Sequence, residues 1–399
     1  MAANRILYGF LLVLSVIFAN FYGGKMPYML LFLVLLLPVI SMLYTVVLYF
    51  LFRYVQLVDR KYVTKGEKIN YRFEISNESI LCYPFIKVNF YGNEDFLARQ
   101  FSSESFSLLP RKKLSFSYEI TCSHRGEYMI GMKSVEFEDF MGLFRLVYNI
   151  PEPKDIIVLP RIIYLDRFLM KTNLPSDTQS VLNTQYEDLT TISDIRKYSY
   201  GDSLKRIHWK LSSKMDELYV KTYHGTSQTA AMFFLDFKQI EVPREVRIKL
   251  EDNLIEAVVA VIRYCLFNFI PVNMVYYMND IVQMEAKTPS DFETIYKTLA
   301  QTRFNQNVAV EDIMELFLID SSKKRDVFIF TANLNYNLYN QLCKVRVNGY
   351  EVSVIYVSST SLTGKSTPEV ENILSSLPDV GITVYRINAD DDIKMVLES

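Results

Sequence analysis

Tyr28-Met29-Leu30-Leu31-Phe32-Leu33-Val34-Leu35-Leu36-Leu37-Pro38-Val39-Ile40-Ser41-Met42-Leu43-Tyr44-Thr45-Val46-Val47-Leu48-Tyr49-Phe50-Leu51-Phe52 carries no charged residue. A helix over this run is roughly 38 Å long at about 1.5 Å per residue, enough to cross a hydrocarbon core of about 30 Å with tilt. A second uncharged run, Ile6 to Tyr22, precedes it. As a helix that run is about 26 Å long and needs a residue or two on each side to span. Gly23-Gly24-Lys25-Met26-Pro27 breaks the chain between them. Residues 1–57 therefore read as a transmembrane helical hairpin. Pro38 sits inside the second run, where membrane helices tolerate proline. No small-residue cleavage site follows the first run and another long apolar run does, so it does not read as a secretory signal.

The basic residues set an expected orientation. Arg5 precedes the first run, Arg53, Arg60, Lys61, Lys65 and Lys68 follow the second, and the hairpin loop holds only Lys25. The positive-inside rule then places both termini and the soluble body in the cytoplasm of a multi-pass protein of the cell membrane. Four widely spaced cysteines (Cys82, Cys122, Cys265 and Cys343) suit a reducing compartment and form no disulfide or metal-ligand pattern. Asn77-Glu78-Ser79 matches a glycosylation acceptor, which has no meaning on a cytoplasmic body. The net charge is −2 and no basic patch interleaves with aromatics, so nucleic acid is not an expected partner.

The 399 residues are enough for two soluble domains beyond the anchor. Residues 58–160 read as an antiparallel β-sandwich. Ile69, Tyr71, Phe73 and Ile75 alternate with polar neighbours, as do Ile86, Val88 and Phe90, and Leu114, Phe116, Tyr118, Ile120 and Cys122. Residues 225–399 read as a doubly wound α/β domain. Ala231 to Phe237 is a continuous apolar run, as a buried parallel strand requires. Ile248, Ile255, Val258, Val259 and Ile262 follow at helical spacing, and strands at Pro271 to Tyr277, Val327 to Phe330, Val352 to Val357 and Ile382 to Tyr385 alternate with helices. Residues 161–224 read as a linker and a distinctive segment, with a weak pattern from Asp166 to Asp188.

That segment is Asp194-Ile195-Arg196-Lys197-Tyr198-Ser199-Tyr200-Gly201-Asp202-Ser203-Leu204-Lys205-Arg206-Ile207-His208-Trp209-Lys210-Leu211-Ser212-Ser213-Lys214. Gly201 ends a turn, and Asp202 caps a helix beginning at Ser203. Leu204, Ile207, His208 and Leu211 would then share one face. Two chemistries compete here. One is a hydrolytic centre built on Asp202 and His208. The favoured one is a packed, salt-bridged junction, because a capping Asp202 is not free for proton transfer. A Gly-rich phosphate loop, His-Glu-x-x-His and Gly-x-Ser-x-Gly are all missing from the sequence. His124 and His224 are solitary, and Asp390-Asp391-Asp392 reads as a helix start.

The run from Arg196 to Lys214 resembles the signature of family 58 of the domains of unknown function. Its matching positions are Arg196, Tyr198, Gly201, Asp202, Arg206, Ile207, His208, Trp209, Lys210, Ser212 and Ser213, with Leu218, Val220 and Lys221 after them. Arg125-Gly126-Glu127-Tyr128 matches a second stretch of the family. Asp139-Phe140-Met141-Gly142-Leu143-Phe144 matches a third with one extra residue. Lys214 departs from the arginine usual there, which weakens any bidentate contact. The resemblance implies a membrane hairpin, a β-rich module, the signature and a von Willebrand factor type A-like domain. It also implies a non-enzymatic adaptor or accessory role in assembling or maturing other proteins. Partners would be a MoxR-type AAA+ ATPase or a membrane transglutaminase-like protein, with no small-molecule substrate and no cofactor. A purely structural envelope component is the third reading.

Type A domains often hold Mg²⁺ through Asp-x-Ser-x-Ser at the end of the first strand, using hard oxygen ligands in octahedral array. In this sequence Asp236 fits the first position, but Lys238 and Ile240 stand at the serine positions, and Thr331-Ala332-Asn333 replaces a later acid. The expectation is a degenerate position with no divalent metal, Asp236 serving as a strand-end cap or pairing with Lys238.

Overall fold

The uncharged runs form α1 (Ala2–Tyr22) and α2 (Lys25–Leu51), both long and apolar enough to cross a membrane. Gly23 and Gly24 have φ of +52° and +89°, a conformation that glycine enters without a Cβ penalty, and so the chain reverses between the helices. Most of their large side chains, Phe10 and Phe32 among them, are exposed. A core helix of a soluble protein would bury them. Tyr8 donates its hydroxyl to the Val34 carbonyl at 3.0 Å and ties the pair together.

The structure is a computed structural model describing residues 2–91, 104–170, 187–198, 207–215, 217–225, 230–318, 326–364 and 366–399. It divides into two units, Met1–Arg161 with Lys297–Thr302, and Ile162–Tyr296 with Arg303–Ser399.

In the first unit β1 (Arg53–Val58) begins directly after α2, so residues 53–57 belong to the β module rather than to the hairpin. The module continues with β2 (Tyr62–Thr64), β3 (Lys68–Ser76), β4 (Tyr83–Phe90), β5 (Glu104–Leu108) and β6 (Lys113–Thr121). It is completed by β7 (Gly126–Ile130), β8 (Met132–Glu138), β9 (Arg145–Asn149) and β10 (Lys154–Leu159). The sheets run β1-β3-β6, β5-β4-β8-β9 and β2-β10-β7. All pairings are antiparallel except β2 with β10. The period-2 pattern of β3 turns Ile69, Tyr71, Phe73 and Ile75 inward, where they meet Ile86 and Val88 of β4 and Val135 and Phe137 of β8 in one apolar core. These facing sheets make a β-sandwich. Leu48 and Phe52, at the end of α2, are part of the same core. The last turns of that helix therefore belong to the sandwich.

The second unit contains β11 (Glu187–Lys197), α3 (Trp209–Met215), β12 (Tyr219–Gly225), β13 (Ala231–Leu235), α4 (Arg244–Phe267), β14 (Val272–Met278) and β15 (Asp280–Ala286). Then come α5 (Phe292–Gln301), whose residues from Lys297 on fall in the first unit, α6 (Val310–Phe317), β16 (Asp326–Thr331), α7 (Tyr336–Val347) and β17 (Glu351–Ser358). The chain closes with α8 (Thr360–Thr363), α9 (Pro368–Ser376), β18 (Thr383–Asn388) and α10 (Ile393–Leu397). One sheet has the order β15-β14-β13-β16-β17-β18, parallel except for β15 at its edge. Every residue of β13 is buried, as helices on both faces demand. The edge strand β15 escaped the sequence reading. It follows β14 through Asn279, whose φ of +63° suits a tight reversal and whose short polar side chain tolerates it.

Two expectations are corrected. The weak stretch from Asp166 onward is not a linker at its start. Phe168 is buried against Phe328, Tyr385 and Tyr264, with ring centroids 5.4, 5.5 and 6.1 Å away, and Asp166 pairs with Lys394 at 2.6 Å. Residues 162–170 are thus packed on the α/β sheet. The helix expected from Ser203, with its Asp202 cap, falls outside the described residues at its start; within them α3 begins at Trp209. Ile207 forms a β-bridge with Val220, so Ile207 and His208 do not lie on a helical face with Leu211.

Candidate functional site

β13 and β16 are adjacent parallel strands, with Leu235 opposite Phe330. Their C-terminal ends therefore bring Asp236 and Thr331 together, at the edge where open α/β sheets bind ligands. Asp236 is buried. Its Oδ2 accepts from Thr331 Oγ1 at 2.6 Å and from Asn333 Nδ2 at 3.2 Å, and its Oδ1 accepts from the Lys238 backbone N–H at 3.0 Å. Thr331 Oγ1 in turn accepts from the Asn333 backbone N–H at 2.8 Å, and Asn333 Nδ2 also reaches the Lys238 carbonyl at 3.4 Å. The cluster is closed on itself.

Burial pushes the Asp236 carboxyl above its ordinary range, against the lowering effect of its three hydrogen bonds, and the nearby Glu311 carboxylate adds to the rise. Of the two roles expected for Asp236, the strand-end cap is the one formed and the ion pair with the Lys238 side chain is not. The backbone N–H of Lys238 makes the contact, because the turn after β13 aims that amide at the carboxylate. Ile240, at a position where an oxygen ligand would be needed, is buried and apolar. A cation here would meet one carboxylate whose lone pairs are already engaged, one hydroxyl and one amide. That donor set does not fit an octahedral Mg²⁺. Among the described residues no three His, Cys, Asp or Glu side chains converge as a metal site would need.

Gln306 braces the same turn. Its N–H donates to the Phe237 carbonyl at 3.2 Å, its carbonyl accepts from Gln239 N–H at 3.3 Å, and its Oε1 accepts from Asn279 N–H at 3.2 Å. Nothing in its sequence neighbourhood announced this role, since a glutamine after a helix belongs to no motif.

The signature residues form a second feature of this unit. β11 and β12 pair antiparallel, with Ile195 opposite Lys221, Arg196 opposite Val220 and Lys197 opposite Tyr219. The Tyr198 N–H continues the ladder to the Leu218 carbonyl at 2.8 Å, and Lys197 pairs with Glu217. His208 precedes α3. Its N–H donates to the Tyr219 carbonyl at 2.8 Å, and its Nδ1 accepts from the Leu211 N–H at 3.1 Å. Ser212 Oγ accepts from the Tyr219 N–H at 2.9 Å, and Ser213 Oγ donates to the Lys210 carbonyl at 3.3 Å. The short helix is thereby pinned to β12. Gly201, Asp202 and Arg206 lie outside the described residues, so the Asp202–His208 pair is not described.

An Nδ1 that accepts a backbone N–H leaves the ring proton of neutral imidazole on Nε2. In that tautomer Nε2 is a donor rather than a general base. Trp209, by contrast, is 65% exposed. Met215 and Leu218 are also exposed, as are the cationic Arg196, Lys210 and Lys214.

No family model matches the chain. No curated protein matches it either. Among solved structures, the CARDB domain of the PF1109 protein from Pyrococcus furiosus, in complex with di-metal ions, is 16% identical over 27% of this chain and 94% of its own, with a TM-score of 0.19. A beta-glucosidase from Listeria innocua in complex with gluconolactone is 12% identical over 27% of this chain and 16% of its own, with a TM-score of 0.15. Cwp6 from Clostridium difficile is 8% identical over 84% of this chain and 53% of its own, with a TM-score of 0.16.

Proposed function

We propose that this protein is a membrane-anchored, non-enzymatic adaptor, related to family 58 of the domains of unknown function, whose α/β unit engages a protein partner. The exposed Trp209 carries the reading. A tryptophan at the surface, with Arg196, Lys210 and Lys214 exposed on the same strand–helix–strand segment, has the composition of interface hot spots, which favour Trp and Arg. The hydrogen bonds around His208 and Ser212 pin α3, which carries Trp209, to β12, which lowers the entropy lost on binding.

Three further points support it. The tautomer set at His208 disfavours the hydrolytic alternative. The Asp236 cluster is self-contained, with its carboxylate oxygens and the Thr331 hydroxyl engaged by neighbouring groups of the same sheet edge. The strand order, with one antiparallel edge strand, agrees with a von Willebrand factor type A-like domain, a module suited to protein recognition. In this reading α1 and α2 span the cell membrane, both termini face the cytoplasm, and the partner is a MoxR-type AAA+ ATPase or a membrane transglutaminase-like protein.

Purification of the full chain from membranes in mild detergent tests this, run in parallel with Trp209→Ala. A MoxR-type ATPase or transglutaminase-like protein, identified by mass spectrometry, should elute with the unmodified chain and be depleted with the variant. A hydrolytic activity of the purified chain that is abolished by His208→Gln, with the fold intact, would overturn the proposal.

A further inference from the structure

The turns β3–β4, β5–β6 and β8–β9 all lie at one end of the sandwich, the end that α2 enters. Arg53, two residues beyond α2, pairs with Ser76 at the end of β3, and Ser76 pairs with Lys113 at the start of β6. Tyr83 pairs with Leu108, and Glu138 with Arg145. Side chains from the helices hold these turns. Ser41 donates to Asp139, Tyr44 donates to the Cys82 carbonyl at 2.6 Å, and the Tyr44 ring lies 5.4 Å from that of Phe140. From α1, Asn4 Nδ2 donates to the Met141 carbonyl at 3.0 Å and Arg5 Nε to the Leu143 carbonyl at 3.0 Å. Gly142, at φ +64°, allows that approach, since a Cβ there would meet the Asn4 amide. Asn77 Nδ2 joins the first two turns, donating to the carbonyls of Leu81 at 2.7 Å and Leu109 at 3.0 Å.

The rim so assembled exposes a large apolar residue from each turn, Ile80 at 79%, Leu109 at 62% and Phe140 at 60%. Arg111 and Lys112 are exposed beside Leu109. Contacts from Ser41 onward commit the rest of α2 to the sandwich. The free stretch from Lys25 to Ile40 is then only about 24 Å long at ~1.5 Å per residue, short of a hydrocarbon core of about 30 Å. A span that short draws its flanking residues into the interface.

We infer that this rim is a lipid-binding surface. Ile80, Leu109 and Phe140 enter the headgroup region, and Arg111 and Lys112 pair with the phosphates of anionic phospholipids. The inference rests on the reading that α1 and α2 cross the bilayer. The occupant is a phospholipid surface because the rim is continuous with the two apolar helices and its β5–β6 turn presents two cations, Arg111 and Lys112, against one exposed carboxylate, Glu78, on the β3–β4 turn.

The test places single tryptophans in the full chain with Trp209→Phe, reconstituted in nanodiscs of phosphatidylcholine with or without phosphatidylglycerol. Lipids spin-labelled near the headgroup or deep in the acyl chain serve as quenchers. Phe140→Trp should be quenched several-fold more by the shallow label than Leu57→Trp, which sits towards the other end of β1. Adding phosphatidylglycerol should strengthen that quenching, and Arg111→Glu with Lys112→Glu should remove the increase. Phe32→Trp, in α2, reports on the span through the deep label. If Phe32→Trp is quenched and Phe140→Trp behaves like Leu57→Trp, the rim proposal falls and the span stands. If Phe32→Trp is not quenched, the span reading falls and the rim with it.

Discussion

Thr331 Oγ1 donates to Asp236 Oδ2 at 2.6 Å, across adjacent strands and 95 residues of chain. The hydroxyl takes part in two bonds, since it also accepts the Asn333 N–H. It therefore couples the carboxylate to the turn after β16, and its loss is felt at both ends.

Thr331→Val should keep the shape and remove both bonds. A buried charged acceptor that loses a hydrogen bond costs about 1.5–3 kcal/mol. Chemical denaturation of the full chain in detergent should show that loss, and Thr331→Ser should restore most of it. An unchanged midpoint for the valine variant would show that water replaces the hydroxyl.

The raised Asp236 carboxyl makes stability pH-dependent with a definite sign. Folding disfavours its ionisation, because desolvation is the largest influence on it. The penalty is therefore absent below the ordinary value of 3.8, grows as pH rises from there through the folded pKa, and is complete above it. Relative to Asp236→Asn, the unmodified chain should gain stability as pH falls through that window. Paired melting curves across acidic pH check this, and a difference that moves the other way would show that the hydrogen bonds outweigh burial.

Phe52 ties the end of α2 to the sandwich. Its ring lies 5.0 Å from Phe137, 5.4 Å from Tyr148 and 5.7 Å from Tyr54 by centroid. Phe52→Ala should cost about 3–5 kcal/mol through lost transfer energy and a cavity. Hydrogen exchange should rise in β1 and β8 and stay unchanged in β13 and β16, which belong to the other unit.

Trp209→Ala should leave stability within about 0.5 kcal/mol, as exposed substitutions do. Partner binding should weaken by about 2 kcal/mol or more, the scale of an interface hot spot. Thermal melting and an affinity measurement on the same preparations separate the two effects. A large fall in melting temperature would instead assign Trp209 to packing.

Local pattern made much of this molecule legible. The uncharged runs from Ile6 and Tyr28 became α1 and α2, the alternation at Ile69 to Ile75 became β3, and the apolar run at Ala231 became the buried β13. Asp236 was legible as the end of a strand and Lys238 as a poor ligand position. The edge strand β15 was not, because its pattern, Asp280-Ile281-Val282-Gln283-Met284-Glu285-Ala286, lacks a clean alternation. Phe168 was not either, since a single aromatic in a weakly patterned stretch does not reveal which surface it will cover.

By itself, the sequence determined which segments are apolar, at what period, and where glycine and proline interrupt them. Those properties are local, and the backbone's few allowed conformations translate them directly into helices and strands. Only the tertiary structure decided which side chains meet: Thr331 and Asn333 at Asp236, Gln306 beneath the same turn, and Asp139 beside Ser41. These contacts join residues far apart in the chain. They follow from strand order and register, which the burial of whole faces selects and no single stretch of sequence encodes.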